Sequence, residues 1–170
     1  MRRFRHLLLA TLALTLVVIV FGAYVRLADA GLGCPDWPGC YGKLTPAHAA
    51  EHIQAAHAVD PHGPVSMPKA WKEMIHRYLA TGLGLLIITI ALASWRYRHE
   101  ATSAPHVATA LVGVVVFQGL LGMWTVTLLL KPAIVTAHLL GGLATLSLIA
   151  WLCLRAWRFP RVEEIGRAHV

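Results

Sequence analysis

The chain has 170 residues, of which 57% are hydrophobic and only 14% charged, with a formal charge of +7 and a positive mean hydropathy. A soluble domain carries about a quarter charged residues; here the apolar residues gather in four long blocks, which excludes an ordinary soluble domain. The basic balance does not point to nucleic acid, because lysine and arginine sit at the ends of the apolar blocks rather than along one polar face, as positive-inside topology signals do.

The first block runs from about Leu7 to Leu27, the second from about Met74 to Trp95, the third from about His106 to Leu130, and the fourth from about Ala133 to Trp157. Each is close to the roughly 20 residues that cross a bilayer as a helix. Inside lipid each backbone amide needs a partner within its own segment, so helix is the expected form. The predicted fold is all-α, a polytopic membrane four-helix bundle with a long outer loop from about Ala28 to Glu73. Block one has a basic start, and Ala28-Asp29-Ala30 is an acceptable cleavage motif. Its apolar core nevertheless exceeds the roughly 7–15 residues of a signal peptide, so it reads as an uncleaved anchor.

Arg2, Arg3 and Arg5 precede block one, Arg96 and Arg98 separate blocks two and three, and Arg155, Arg158 and Arg161 follow block four. An even number of crossings puts these segments on one side, the cytoplasm, with the N-terminus there and the 28–73 loop and the Lys131-Pro132 turn outside. Within the loop, Thr45-Pro46 reads as an N-cap followed by proline at the first helical position, opening a short helix to about Ala58. Tryptophans 71, 95, 151 and 157 fall near the predicted interfaces.

Two histidines stand out. His76 and His138 each lie near the outer end of a helix running from outside to inside, and glycines follow both, at Gly82 and Gly84 and at Gly141 and Gly142. Two imidazoles at equal depth can face each other across a flat macrocycle and supply both axial ligands of a haem iron. The glycines would let the ring plane approach the backbone. An interhelical hydrogen bond is the other reading of each histidine. Arg26 and Arg77 could each pair with a haem propionate through a bidentate fork, or snorkel to the interface. Glu73, three residues before His76, shares its helix face and either moves protons or complements the helix dipole.

Of three cysteines, Cys34 and Cys40 share the outer loop and read as a structural disulfide, while Cys153 reads as inert packing. His48, His52, His57 and His62 lack the acidic or thiol pattern of a metal site and read as solvated loop residues. Gln118, mid-membrane, needs partners for its amide; it either lines the histidine cavity or joins helices.

Gly22-Ala23-Tyr24-Val25-Arg26-Leu27, the run from Gly31 through Cys34 and Cys40, Glu73-Met74-Ile75-His76-Arg77, the stretch Gln118 to Val126, and Thr136-Ala137-His138-Leu139 together resemble haem A synthases, from about Gly22 to Leu154. The resemblance implies an oxidoreductase of haem A biosynthesis, with eight membrane helices in two similar halves. Such an enzyme converts a ring methyl of haem O to a formyl group. His76 and His138 become ligands of the substrate haem, Glu73 the acidic residue tied to catalysis, and Cys34 and Cys40 the loop disulfide. The family's C-terminal half holds a haem B cofactor, and this chain matches only the N-terminal half. Residues 1–164 are expected to be that half, and 165–170 read as an artefactual tail resembling a translated sequencing adapter. The implied partners are haem O, the missing C-terminal half, haem O synthase and membrane lipid, and no nucleic acid. The implied location is the bacterial inner membrane. The competing readings are a bis-histidine cytochrome b that transfers electrons, and a membrane scaffold without haem.

Overall fold

A computed structural model describes residues 2–100 and 103–157. Arg158, Arg161 and the 165–170 segment lie outside the described residues. Helix α1 spans Arg2–Leu27; a 3-10 turn over Pro46–Ala49 leads into α2, Ala50–Val59; α3 spans Met67–Arg96, α4 Pro105–Thr127 and α5 Pro132–Ala156. Four of these, α1, α3, α4 and α5, are long and apolar enough to cross a membrane. No β-strand forms among the described residues, only an isolated bridge between Cys40 and Lys43. Proline occupies the first turn of α3, α4 and α5, where its missing N–H leaves no backbone bond unmade.

Two helix ends differ from the hydropathy reading. Helix α3 begins at Met67 rather than Met74, after an extended Ser66. Lys69, Lys72 and Glu73 interrupt the hydropathy of this stretch but not its helical hydrogen bonding. Conversely, Leu128, Leu129 and Leu130 are apolar but form a turn, with Leu129 and Leu130 at φ 52° and 56°. Left-handed leucines are strained by about 1 kcal/mol or more each. They are held by N–H bonds back to Val126 and Thr125 and by packing of Leu130 against Gly31 of the loop.

The spanning helices form a closed ring. Helix α1 packs on α3 and α5, and α4 packs on the same two; the backbones of α1 and α4, and those of α3 and α5, do not approach one another. Sequence neighbours alternate in direction, so the diagonal pairs run parallel. The two histidine-bearing helices, α3 and α5, are thus opposite one another across the bundle axis.

Packing is concentrated at the end of the bundle away from the loop. Phe4 and Leu8 of α1, Ile87 and Ile90 of α3, Ala108 and Leu111 of α4, and Ile149, Leu152 and Ala156 of α5 form one buried cluster. Thr11 and Thr15 are buried beside it because their hydroxyls bond back to the carbonyls of Leu7 and Thr11. Between membrane helices the drive is close van der Waals contact rather than exclusion of water, so this cluster sets the geometry of the ring. A second, smaller cluster, Cys34, Cys40, Ala49, Ile53, Ala70 and Met74, seats the loop on the top of α3.

Candidate functional site

The two histidines lie at one level, and contacts along α1 establish it. A Cβ at Gly22 would sit 2.8 Å from Cε1 of His76, so only glycine admits that ring at this position. One turn further from the loop, Ile19 lies 3.6 Å from the Cβ position of Gly142, itself one turn further from the loop than His138. Across the ring, a Cβ at Gly122 of α4 would stand 3.6 Å from Cε1 of His138. Each hairpin therefore sets a glycine of its first helix against a histidine of its second. These are the glycines that matter. Of the glycines that follow the histidines, Gly82 has open space around its Cβ position, Gly84 faces Val115, Gly142 faces Ile19, and Gly141 receives the side chain of Gln118.

Both Nδ1 atoms are buried without a hydrogen-bond partner among the described residues. Phe21 stacks on His76 at a centroid distance of 6.5 Å. Seven residues, about 10 Å along a helix, separate each histidine from the next buried residue on the same face: Leu83 below His76 and Thr145 below His138. A lone imidazole in an apolar bundle finds a hydrogen bond where it can. Two at one level on diagonal helices, both lacking one, fit a group that enters between them. The chemistry of two neutral nitrogens with no third His, Cys, Asp or Glu gathered near them among the described residues suits a metal carried by its own macrocycle.

Glu73 and Arg77 occupy the junction between α3 and the loop. Oε2 of Glu73 accepts the backbone N–H of Cys34 at 2.9 Å, and Oε1 pairs with Nη2 of Arg77. Nη1 of Arg77 donates to the carbonyls of Asp36 (2.8 Å), Pro38 (3.3 Å) and Gly39 (2.5 Å). Arg77 thus binds the disulfide loop, an employment its sequence position beside His76 did not reveal. Arg26, at the end of α1, is exposed, and its guanidinium forms no hydrogen bond or ion pair among the described residues.

Cys34 and Cys40 are disulfide-bonded, with Cα atoms 4.9 Å apart, and Cys153 is a buried free thiol. Asp36 closes the loop by accepting the N–H groups of Tyr41 and Gly42, each at 2.6 Å. Burial, and then the Asp36 carboxylate, push the Tyr41 phenol above its ordinary value. Thr45 caps the loop helix as expected, accepting from the His48 N–H. The loop histidines are tied locally: His48 to the Thr45 hydroxyl at 2.9 Å, His57 to the Val65 carbonyl at 3.2 Å, and His52 stacked on Tyr41. His62 is exposed.

Residues 5–168 match the cytochrome oxidase assembly protein family, COX15-CtaA. The chain belongs to this family. Its relatives include a heme A synthase of Shewanella oneidensis, 48% identical over 88% of this chain and 44% of the relative, and one of Alkalihalophilus pseudofirmus, 29% identical over 91% of this chain and 44% of the relative. A protoheme IX farnesyltransferase of Roseiflexus is 29% identical over 99% of this chain and 29% of its own length. No solved structure matches. The chain spans half or less of the length of the curated relatives it matches.

Proposed function

We propose that this chain takes part in haem A biosynthesis, supplying the half of the enzyme that holds haem O while a ring methyl is oxidised to a formyl group. The observation that carries this reading is the pair His76 and His138: one level, opposite helices, a glycine against each ring, and an unpartnered Nδ1 on each. Their names as heme A synthases, borne by relatives aligned across nearly all of this chain, support the choice of haem over another flat ligand.

Bound haem brings iron and the methyl group to be oxidised; the chain's residues do the rest. His76 and His138 hold the macrocycle from its two faces, each through a ring nitrogen. The bundle floor at Leu83 and Thr145 limits how deep it sits, and apolar walls exclude water. Glu73 stands three residues from His76 and lies on the same helix face. Oxidation of a methyl to a formyl releases protons. A carboxylate oxygen that accepts one N–H keeps a second lone pair, so Glu73 serves as proton acceptor while Arg77 and the Cys34 N–H hold it in place. Arg26, unpaired among the described residues and next to the water boundary, is the arginine available for a propionate.

The remaining parts follow from the same reading. Haem B is expected in a further half of the protein, and haem O synthase is the supplier of substrate, consistent with the name of the farnesyltransferase relative. The ends bearing Arg2, Arg3 and Arg5 and Arg96 and Arg98 lie in the cytoplasm, and the disulfide loop faces the oxidising side of the inner membrane.

The test is to produce the chain beside a haem O source, purify it, and identify the extracted pigment by chromatography and mass spectrometry. Haem O, or a hydroxylated or formyl derivative, on the wild type but not on His76→Ala or His138→Ala supports the reading. Haem B alone would instead favour a bis-histidine cytochrome.

A further inference from the structure

The two hairpins treat their histidines alike at one level and differently one turn deeper. In the first hairpin, the residue four before Gly22 is Val18 and the residue three after His76 is Leu79, both part of the apolar packing. In the second, the residue four before Gly122 is Gln118 and the residue three after His138 is Gly141; the Gln118 side chain fills the notch left by that glycine. Its Nε2 is buried and has no hydrogen-bond partner, and no hydrogen bond reaches its oxygen among the described residues. His138 Nδ1, also buried and unpartnered, lies within one helical turn on the same α4–α5 seam.

Two unsatisfied polar groups about a helical turn apart on one seam of an apolar bundle are rare. A ligating histidine nearly always gives its second ring N–H to an acceptor, which fixes the tautomer and strengthens the ligand nitrogen. A half-turn of a carboxamide exchanges its donor and acceptor ends.

We propose that Gln118 is the positioning residue of His138: its carboxamide oxygen accepts the Nδ1–H of that imidazole and leaves Nε2 to the haem iron. His76, with Val18 and Leu79 at the corresponding places, has no such partner. The two axial ligands are therefore unequal, His138 the fixed one and His76 the more readily exchanged. This inference rests on the haem reading above.

The experiment compares wild type, Gln118→Leu and Gln118→Glu, each purified from cells supplying haem O, by spin state, midpoint potential and rate of haem loss to an excess of apomyoglobin. Leucine fills the same volume without an acceptor, and glutamate is a stronger acceptor. We expect Gln118→Leu to elute as wild type but lose haem about 10-fold faster, with part of the signal turned high-spin. We expect Gln118→Glu to stay low-spin, with a lower midpoint potential. Wild-type behaviour of Gln118→Leu in all three readouts would overturn the inference while leaving the haem site intact. Should the leucine variant fail to fold, an unchanged potential in Gln118→Glu overturns it equally. A colourless wild type overturns the haem reading and this inference with it.

Discussion

The two ends of the bundle use the same four helices for opposite purposes. At the basic end, side chains from all four meet in one closed cluster around Ile87, Leu111 and Ile149, each fully buried. At the loop end the same ring holds two imidazoles without partners, glycines cut back to admit them, and a lid fastened by Glu73, Arg77 and a disulfide. The closed end makes the open end possible: once the core fixes the spacing of the ring, the backbones of α3 and α5 stay opposite and apart, and only side chains meet between them. Among the described residues, unpartnered buried polar atoms occur at both ends, Arg5 Nε and Ser94 Oγ at the closed one; what marks the open end as a site is that its pair are imidazoles at one level, each faced by a glycine.

Substitutions separate the ends. The largest effect is expected from His76→Ala or His138→Ala, which should abolish haem retention while leaving the circular dichroism and elution of the protein unchanged. Next is Glu73→Ala: removing one partner of a buried ion pair costs about 3–5 kcal/mol. It should lower thermal stability and loosen the loop, seen as faster proteolysis around Asp36, whereas Glu73→Gln should keep the Cys34 contact and lose more turnover than stability. Leu111→Ala at the closed end should cost about 2–5 kcal/mol in denaturation assays and reduce haem retention only in step with the folded fraction. Replacing Cys34 and Cys40 by serine should cost about 2 kcal/mol by loop entropy, measured as a fall in the melting temperature. The smallest effect belongs to Gly82→Ala. Its Cβ meets open space, so we expect a gain of about 0.5–1 kcal/mol from helix propensity and unchanged haem content. Gly22→Ala, by contrast, must displace the His76 ring and should reduce haem content.

Much of the fold was legible in the sequence because membrane helices must satisfy their own backbone and announce themselves by length and apolarity. Hydropathy misplaced the start of α3 by seven residues, since it records polarity rather than helix ends, and it read the Leu128–Leu130 turn as helix for the same reason. Both histidines and Glu73 could be picked out because ionisable groups are scarce among apolar neighbours. Spacing along one chain could not show that α3 and α5 are diagonal, nor that Gly22 and Gly122, on other helices, are the ones facing the imidazoles. Arg77 beside His76 suggested a ligand contact; only the folded loop shows its guanidinium among the carbonyls of Asp36, Pro38 and Gly39.

The most direct test of the account is an optical spectrum of the purified chain, oxidised and reduced, with His76→Ala and His138→Ala alongside. The account predicts a six-coordinate, low-spin haem spectrum for the wild type, and loss of that spectrum in each variant at unchanged folding. A folded wild type with no haem absorption, or a low-spin spectrum that survives both substitutions, would contradict it.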